Sequence, residues 1–171
     1  MKTLCVVRHA KSSWDDPHLT DIDRPLNKRG LRDAPFMAQM AAEAYAPPSR
    51  ILTSTALRAL TTARHFAQAF ATPERDVHVL TALYPGVLHN YLQVIGAQPE
   101  HLERLWLFGH NPGVSQLAQY LVGPAVGHMP TCAIVVAELN IQSWQELFLG
   151  AGKLAALHYP KQFFPKESLD D

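Results

Sequence analysis

Three short apolar segments constrain the fold of this chain most strongly. Each is followed by polar residues and then by a helical pattern. They span residues 4–7, 51–53 and 105–108 and are rich in β-forming side chains, which is typical of buried strands. Strands that alternate with helices form parallel sheets covered by helices on both faces. The sequence therefore predicts an α/β fold. We expect a three-layer α/β/α sandwich with a mostly parallel central sheet, formed by residues 1–171 as a single domain.

The first strand and the first helix are separated by an unusually long connection, residues 12–27. Long connections inside compact domains usually carry function. Asn27 is predicted to cap the helix that follows. Pro35 lies inside the apolar pattern of that helix, and we expect it to kink the helix or to restart it.

Two further helices have candidate caps. Ser54 or Thr55 is predicted to cap the second helix. A third helix is predicted around residues 91–97, and Asn111 is predicted to cap the fourth, with Pro112 at the first helical position, where its missing N–H group costs nothing.

The remaining strands are predicted from shorter patterns. Residues 77–80 are expected to form an edge strand. Residues 132–139 and 144–149 are predicted to pair as a hairpin around residues 140–143.

Composition narrows the possible partners and cofactors. The 171 residues carry no formal net charge, so no global field favours nucleic acid or an acidic membrane. Cys5 and Cys132 lie in apolar runs and are expected to be buried thiols in a reducing, cytoplasmic compartment. None of the nine histidines forms an HxH or HxxxH pair, and we predict neither a metal site nor a cofactor.

The polar residues at the three junctions point to an anion site. Arg8 and His9 follow the first strand, Arg58 lies in the first turn of the second helix, and His110 follows the third strand. In a parallel sheet these junctions lie at one edge, where free helix N–H groups favour an anion. Arg24, in the long connection, is a candidate third arginine.

This set of residues suggests phosphoryl transfer. Arg8 and Arg58 would clamp phosphoryl oxygens through charge-assisted hydrogen bonds. One neutral histidine would attack phosphorus, and the other would donate to the equatorial oxygens. We expect His9 to be the nucleophile, because backbone groups at a strand end can fix its tautomer and the neighbouring arginine disfavours its charged form.

Four motifs in order resemble the histidine phosphatase superfamily. They are Arg8-His9-Ala10, Asp23-Arg24-Pro25-Leu26, Ser54-x-x-x-Arg58-Ala59-x-x-Thr62 and Gly109-His110-Asn111-Pro112-Gly113. Within it, the short chain and the last motif are similar to the SixA branch of protein phosphohistidine phosphatases.

The resemblance implies a phosphoglycerate mutase-like sandwich and a cofactor-independent phosphatase. It implies His9 as the phosphoacceptor and Arg8, Arg58 and His110 as the rest of the catalytic pocket. The candidate substrate contacts are Arg24, Ser12 and Asn111, although Ser12 is equally suited to capping its own loop.

One position departs from the family pattern. Many members carry a glutamate, the general acid, where this chain has Ala82. Other candidate acids in the first loop are Asp15, Asp16, His18, Asp21 and Asp23. Imidazole protonated on its second nitrogen leaves more readily than an alkoxide, so the missing glutamate favours a P–N substrate.

Three functions remain open at this point. The first is a phosphatase acting on phosphohistidine in a partner protein, either a phosphorelay domain or a phosphocarrier, with neither nucleic acid nor membrane involved. The second is a small-molecule phosphomonoesterase. The third is a non-catalytic phosphohistidine-binding module. We expect the chain to act as a monomer.

Overall fold

Six strands form one mixed sheet in the computed structural model, which describes residues 1–165. The strands are β1 (Lys2–Arg8), β2 (Arg50–Ser54), β3 (Val77–Leu80), β4 (Arg104–Gly109), β5 (Ile134–Leu139) and β6 (Gly152–His158). Their order across the sheet is β3-β2-β4-β1-β5-β6. The first four pair in parallel, whereas β5 and β6 are antiparallel. The predicted α/β class and the mostly parallel sheet are confirmed.

Helices cover both faces of this sheet. They are α1 (Lys28–Ala44), α2 (Leu57–Ala69), α3 (Leu88–Gly96) and α4 (Gly113–Val122). Successive residues of β1 point to opposite layers: Leu4 and Val6 pack with α3 and α4, and Cys5 and Val7 pack with α1 and α2. This alternation explains why β1 has no polar residue between Leu4 and Val7, because each face of the strand meets a helical layer.

The beginnings of the helices differ in part from the predictions. Asn27 caps α1 as expected, because its side chain accepts a hydrogen bond from the N–H of Gly30. Pro35 does not restart the helix, which runs unbroken through it. Pro35 and Leu31, whose carbonyl loses its helical donor, both lie on the solvent side, so water can replace the missing hydrogen bond.

The predicted caps of α2 and α4 are wrong. Ala56, not Ser54 or Thr55, occupies the N-cap of α2. The hydroxyl of Ser54 instead accepts the N–H of Ala56 within the turn before the helix. At α4 the N-cap is Pro112, one residue later than predicted.

The predicted hairpin is correct for its first strand and wrong for its second. Residues 144–146 form a 3-10 turn, and the partner of β5 is β6, which begins at Gly152. The reason is Trp144, which is fully buried and donates its indole N–H to the carbonyl oxygen of Leu102 at 2.8 Å. That contact draws the segment into the core and away from the sheet.

Two further expectations concern the core and the membrane. Cys5 and Cys132 are free, buried thiols, as predicted. None of the helices in the described residues is both long and apolar enough to cross a bilayer.

Candidate active site

The pairing of β1 with β4 places the two junction histidines side by side. Arg8 is in register with Gly109, and the N–H of His9 donates to the carbonyl oxygen of Gly109 at 3.1 Å. The centroids of the His9 and His110 rings are 5.1 Å apart. The predicted convergence of these two junctions at one sheet edge is therefore present in the structure.

The ring of His9 is held in one orientation and one tautomer. Its Nδ1 atom lies 2.7 Å from the carbonyl oxygen of Ala10, which can only accept a hydrogen bond, so Nδ1 carries the proton. The Nε2 atom then holds a lone pair, and no described residue donates to it. A neutral imidazole with a free Nε2 lone pair is the form that attacks phosphorus.

Burial and nearby positive charge keep both histidines neutral. Burial lowers the pKa of His9, the hydrogen bond to Ala10 opposes this, and the fields of His110, Arg58 and Arg8 lower it further, to about 3. Burial, followed by the field of Arg58, lowers the pKa of His110 to about 4. Neither ring needs to lose a proton before it acts at neutral pH.

A serine orients His110. The Oγ atom of Ser54 lies 2.8 Å from Nε2 of His110 and also accepts the N–H of Ala56 at 3.1 Å. The hydroxyl keeps its own proton, which it can donate to Nε2, and in that tautomer the proton of His110 lies on Nδ1. That Nδ1 atom is buried and has no hydrogen-bond partner among residues 1–165. A buried donor without a partner suits an incoming phosphoryl oxygen.

Asp21 joins two arginines of the site. One of its carboxylate oxygens lies 3.0 Å from Arg58 and the other 3.0 Å from Arg24. Arg58 also donates to the backbone carbonyl of Asp21 at 2.7 Å, and Tyr84 donates its hydroxyl to the carboxylate at 2.7 Å. Arg58 and Arg24 therefore lie close together, with the carboxylate of Asp21 between them.

This network decides the charge of Asp21. Burial raises the pKa of Asp21, but the hydrogen bonds from Tyr84, Arg58 and Arg24 outweigh it and lower the pKa to about 2. At neutral pH the carboxylate has no proton to donate. Asp21 was one of the candidates for the general acid. Because it is ionised in this state, it is unsuited to that role.

The other candidate acids in the loop serve the loop itself or face solvent. Asp16 accepts the backbone N–H of His18, and Asp23 accepts the hydroxyl of Thr20. Asp15 and His18 are exposed. None of these four side chains has a hydrogen bond or ion pair to Arg8, Arg24 or Arg58 among those the structure shows.

Arg24 is fixed by the long loop that contains it. It is buried, donates to the carbonyl oxygen of Ser13 at 3.0 Å and to the hydroxyl of Ser12, and stacks over Trp14 at 3.2 Å from the ring centroid. The loop closes through a bridge between Ser12 and Leu26. Ser12 therefore positions Arg24, and a contact of Ser12 with substrate stays a prediction.

Arg8 and Asn111 converge on one backbone carbonyl. Arg8 donates to the carbonyl oxygen of Met129 at 3.1 Å, and Asn111 donates to the same oxygen at 2.8 Å. The amide oxygen of Asn111 accepts the hydroxyl of Ser115 at 2.6 Å. Asn111 thus holds the segment around Met129 against α4, and its predicted contact with substrate stays a prediction.

A buried tyrosine that the sequence reasoning missed supports His110. The hydroxyl of Tyr91 accepts the backbone N–H of His110 at 2.9 Å. A Cβ atom added at Gly86, Gly109 or Gly113 would collide with Tyr91. The two glycines of the Gly109–Gly113 motif therefore make room for this ring. Their spacing was the sequence feature that could have indicated a close approach at this point.

Thr62 is a second residue whose role was missed. Its hydroxyl donates to the carbonyl oxygen of Arg58 at 2.7 Å and accepts the N–H of Ala10 at 3.0 Å. It therefore ties the first turn of α2 to the chain just after His9. The sequence feature that could have indicated this role is the position of Thr62 four residues after Arg58 in the same helix.

Metal binding finds no support in the described part of the chain. No group of three or more His, Cys, Asp or Glu side chains within residues 1–165 is arranged to hold an ion. The chemistry available at the site is that of two neutral imidazoles and three guanidinium groups.

Comparison with known proteins identifies the family of this chain. The model of the histidine phosphatase superfamily (branch 1) matches residues 4–111, which is more than half of the chain. An uncharacterized chloroplastic protein of Arabidopsis thaliana is 32% identical over 164 residues, covering 88% of this chain and 72% of the relative.

Solved structures share the fold. A candidate phosphohistidine phosphatase SixA from Agrobacterium tumefaciens is 27% identical, with a TM-score of 0.80 over 93% of this chain and 98% of that one. A mycobacterial glucosyl-3-phosphoglycerate phosphatase is 14% identical, with a TM-score of 0.65 over 91% of this chain and 97% of its own, and shows similarity of fold only.

The depressed pKa values predict acid sensitivity. The unfolded chain binds protons on its histidines near pH 6.5, whereas folded His9 and His110 stay neutral down to about 3 and 4, so stability is lost as pH falls below 6.5. Each of these histidines contributes about 1.4 kcal/mol per pH unit to the slope of the unfolding free energy. Urea titrations between pH 6.5 and 4.5 measure that slope.

The matched variants for this prediction are His9→Asn and His101→Asn, the second at an exposed position. His9→Asn is expected to reduce the slope by about 1.4 kcal/mol per pH unit, the contribution of one proton, and His101→Asn to leave the slope unchanged. Parallel pH profiles for the wild type and His9→Asn would contradict the assignment.

Crowding by Tyr91 predicts that Gly113→Ala is destabilising. We expect a cost of about 1–3 kcal/mol, because the added methyl group would lie 2.4 Å from the ring and 2.6 Å from the backbone carbonyl oxygen of Gly86, so Tyr91→Leu is expected to relieve part of the cost. Gly96→Ala is the control, because the nearest atom to its added Cβ is 3.8 Å away. Urea unfolding measures both. A cost for Gly113→Ala that is unchanged in a Tyr91→Leu background would show that the ring is not the cause.

Proposed function

Because this chain belongs to the histidine phosphatase superfamily and is a phosphohydrolase, we propose that it hydrolyses phosphohistidine on a partner protein, with His9 as the nucleophile. The observation that carries the proposal is the state of His9. Its ring is buried and neutral, Nδ1 is tied to the carbonyl of Ala10, and Nε2 has no described donor. Such a nitrogen is ready to attack at neutral pH.

In the first step Nε2 of His9 attacks phosphorus in line. A bond forms between Nε2 and phosphorus as the bond to the nitrogen of the substrate histidine breaks. That nitrogen takes the bonding electron pair, and because the other nitrogen of the ring is protonated, it leaves as neutral imidazole. Arg8, Arg58 and the Nδ1–H group of His110 are placed to stabilise the equatorial oxygens.

In the second step water attacks the phosphorus of phosphorylated His9. The bond to Nε2 breaks, the electron pair returns to Nε2, and both protons of the water leave with the inorganic phosphate as H2PO4⁻. His9 is restored as neutral imidazole, with Nδ1 still bound to Ala10.

The absence of an evident general acid supports a P–N substrate. Ala82 lies in the 3-10 turn of residues 81–83 at the position where many relatives have glutamate, and the carboxylate of Asp21 is ionised. An alkoxide leaving group would need a proton from such an acid, whereas imidazole does not. The similarity to a candidate phosphohistidine phosphatase points the same way.

A small phosphate ester is the second candidate substrate. It is favoured by the shared fold of glucosyl-3-phosphoglycerate phosphatase, whose name states such a substrate. A comparison of turnover of a phosphohistidine peptide with turnover of sugar phosphates separates the two. Faster hydrolysis of the sugar phosphates would overturn the proposal.

Trapping of the phosphoenzyme tests the role of His9. Rapid quenching in base after mixing with a radiolabelled phosphohistidine peptide is expected to capture acid-labile label on the wild type and on a His101→Ala control. His9→Ala is expected to lose both label and turnover, by at least about 1,000-fold for a nucleophile. Label that persists in His9→Ala and disappears in His110→Ala would reverse the two roles.

Asp21 yields a second prediction for this site. Asp21→Asn removes the negative charge that lies between Arg58 and Arg24, so these arginines become available to phosphate. We expect the inhibition constant of inorganic phosphate to fall several-fold. Asp15→Asn, at an exposed position of the same loop, is the control. Weaker inhibition of Asp21→Asn by phosphate would mean that Asp21 serves to orient Arg58.

A further inference from the structure

One tryptophan side chain is displayed on the surface of the long loop that connects β1 with α1. Of the three tryptophans, Trp14 is 75% exposed, whereas Trp106 and Trp144 are buried. Tryptophan carries more apolar surface than most side chains and is highly buried on average. The steps proposed above make no use of Trp14.

The ring of Trp14 is held in place although it is exposed. One face of the ring lies on the guanidinium group of Arg24, whose carbon atom is 3.2 Å from the ring centroid. Arg24 is itself fixed, because all three of its side-chain nitrogen atoms donate hydrogen bonds. The acceptors are Ser13, Asp21 and Ser12. An aromatic ring that is positioned in this way loses little conformational entropy when a partner binds to it.

Trp14 lies beside the entrance to the phosphoryl pocket. Only two side chains separate it from Arg58. Arg24 contacts the ring of Trp14, and the carboxylate of Asp21 lies 3.0 Å from both Arg24 and Arg58. A protein that inserts a phosphohistidine between the arginines and the histidines of the pocket therefore has neighbouring side chains within reach of Trp14.

The surroundings of the ring indicate which kind of side chain it binds. Arg24 already occupies one face of Trp14, so a second cation on the opposite face would be repelled by its charge. A carboxylate is disfavoured on that face because the face of an aromatic ring is negative. An apolar side chain meets neither repulsion and gains from leaving water.

We propose that Trp14 binds an apolar side chain of the phosphoprotein substrate, close in that protein to its phosphohistidine. The inference rests on the proposed function and identifies a residue that selects the substrate. Tryptophan is enriched among the residues that contribute most to protein–protein binding. A membrane is the less favoured partner, because Asp15 and Asp16 are exposed next to the ring and anionic lipids would repel them.

A series of phosphohistidine peptides tests the preference. A single leucine is moved through the positions on each side of the phosphohistidine in a sequence of glycine and serine, and the peptide without leucine is the reference. At the best position we expect leucine to raise kcat/KM of the wild type about tenfold. Lysine at the same position is expected to bring no gain, because its charge would face that of Arg24 across the ring.

Variants assign the preference to the ring. Trp14→Ala is expected to reduce the gain from leucine to less than about twofold, and Trp14→Phe to restore most of it. Because the gain is a ratio of two peptides on the same enzyme, any effect of the substitution on Arg24 cancels.

Phe148→Ala is the matched control. Phe148 is an exposed aromatic residue between β5 and β6. Because the end of β5 pairs with Lys2, this connection lies at the other end of β1 from Arg8. The variant is expected to keep the full gain from leucine.

Fluorescence quenching detects the contact itself. Trp106 and Trp144 are buried, so acrylamide quenches mainly the emission of Trp14. The leucine peptide is prepared with a phosphonotriazole side chain, a stable analogue of phosphohistidine. It is expected to lower the quenching constant of the wild type at least about twofold, because the bound side chain covers the ring. Inorganic phosphate is expected to leave the constant unchanged.

Each outcome decides. Equal turnover of all peptides, a gain that Trp14→Ala retains, a gain from lysine equal to that from leucine, or unchanged quenching with the analogue bound overturns the inference alone. Protection of Trp14 by phosphatidylglycerol vesicles and not by the analogue would assign the ring to a membrane and also overturn it. If the wild type hydrolyses neither the peptides nor phosphoimidazole, the proposed function falls, and the inference falls with it.

Discussion

The parallel pairing of β1 with β4 is the constraint on which the site depends. It sets Arg8 opposite Gly109, so the residues that follow each strand, His9 and His110, emerge side by side. A shift of one residue would turn the side chains of β1 to the opposite layers and bury the wrong set. The apolar run of β1, packed between two helical layers, therefore fixes the position of the proposed nucleophile as firmly as it fixes the core.

Desolvation determines the protonation state of the two histidines at that position. Burial at the sheet edge keeps both histidines neutral, and the surrounding arginines reinforce the effect while providing charge for an anion. Excess positive charge in a buried pocket is costly unless it is compensated. Asp21 supplies that compensation for Arg58 and Arg24 from a half-exposed loop position.

Much of the fold could be predicted because the signals are local. The strand patterns, the cap at Asn27 and the edge strand at residues 77–80 each depend on neighbours within a few residues. The errors occurred where distant contacts prevail. Trp144 leaves the expected strand for a hydrogen bond to Leu102, and Ser54 turns from the expected cap toward His110.

The sequence by itself determined which residue types stand at the ends of the buried strands, and therefore that His9, Arg58 and His110 meet at one sheet edge. It could do so because strand and helix patterns are short-range and parallel topology brings equivalent junctions together. Only the tertiary structure decided what these residues touch. Asp21 reaches Arg58 across 37 positions, and Ser54 reaches His110 across 56. Such contacts depend on the path of a long loop and on tertiary packing. The spacing of Gly109 and Gly113 indicates that something approaches closely, but only the folded structure shows that it is Tyr91.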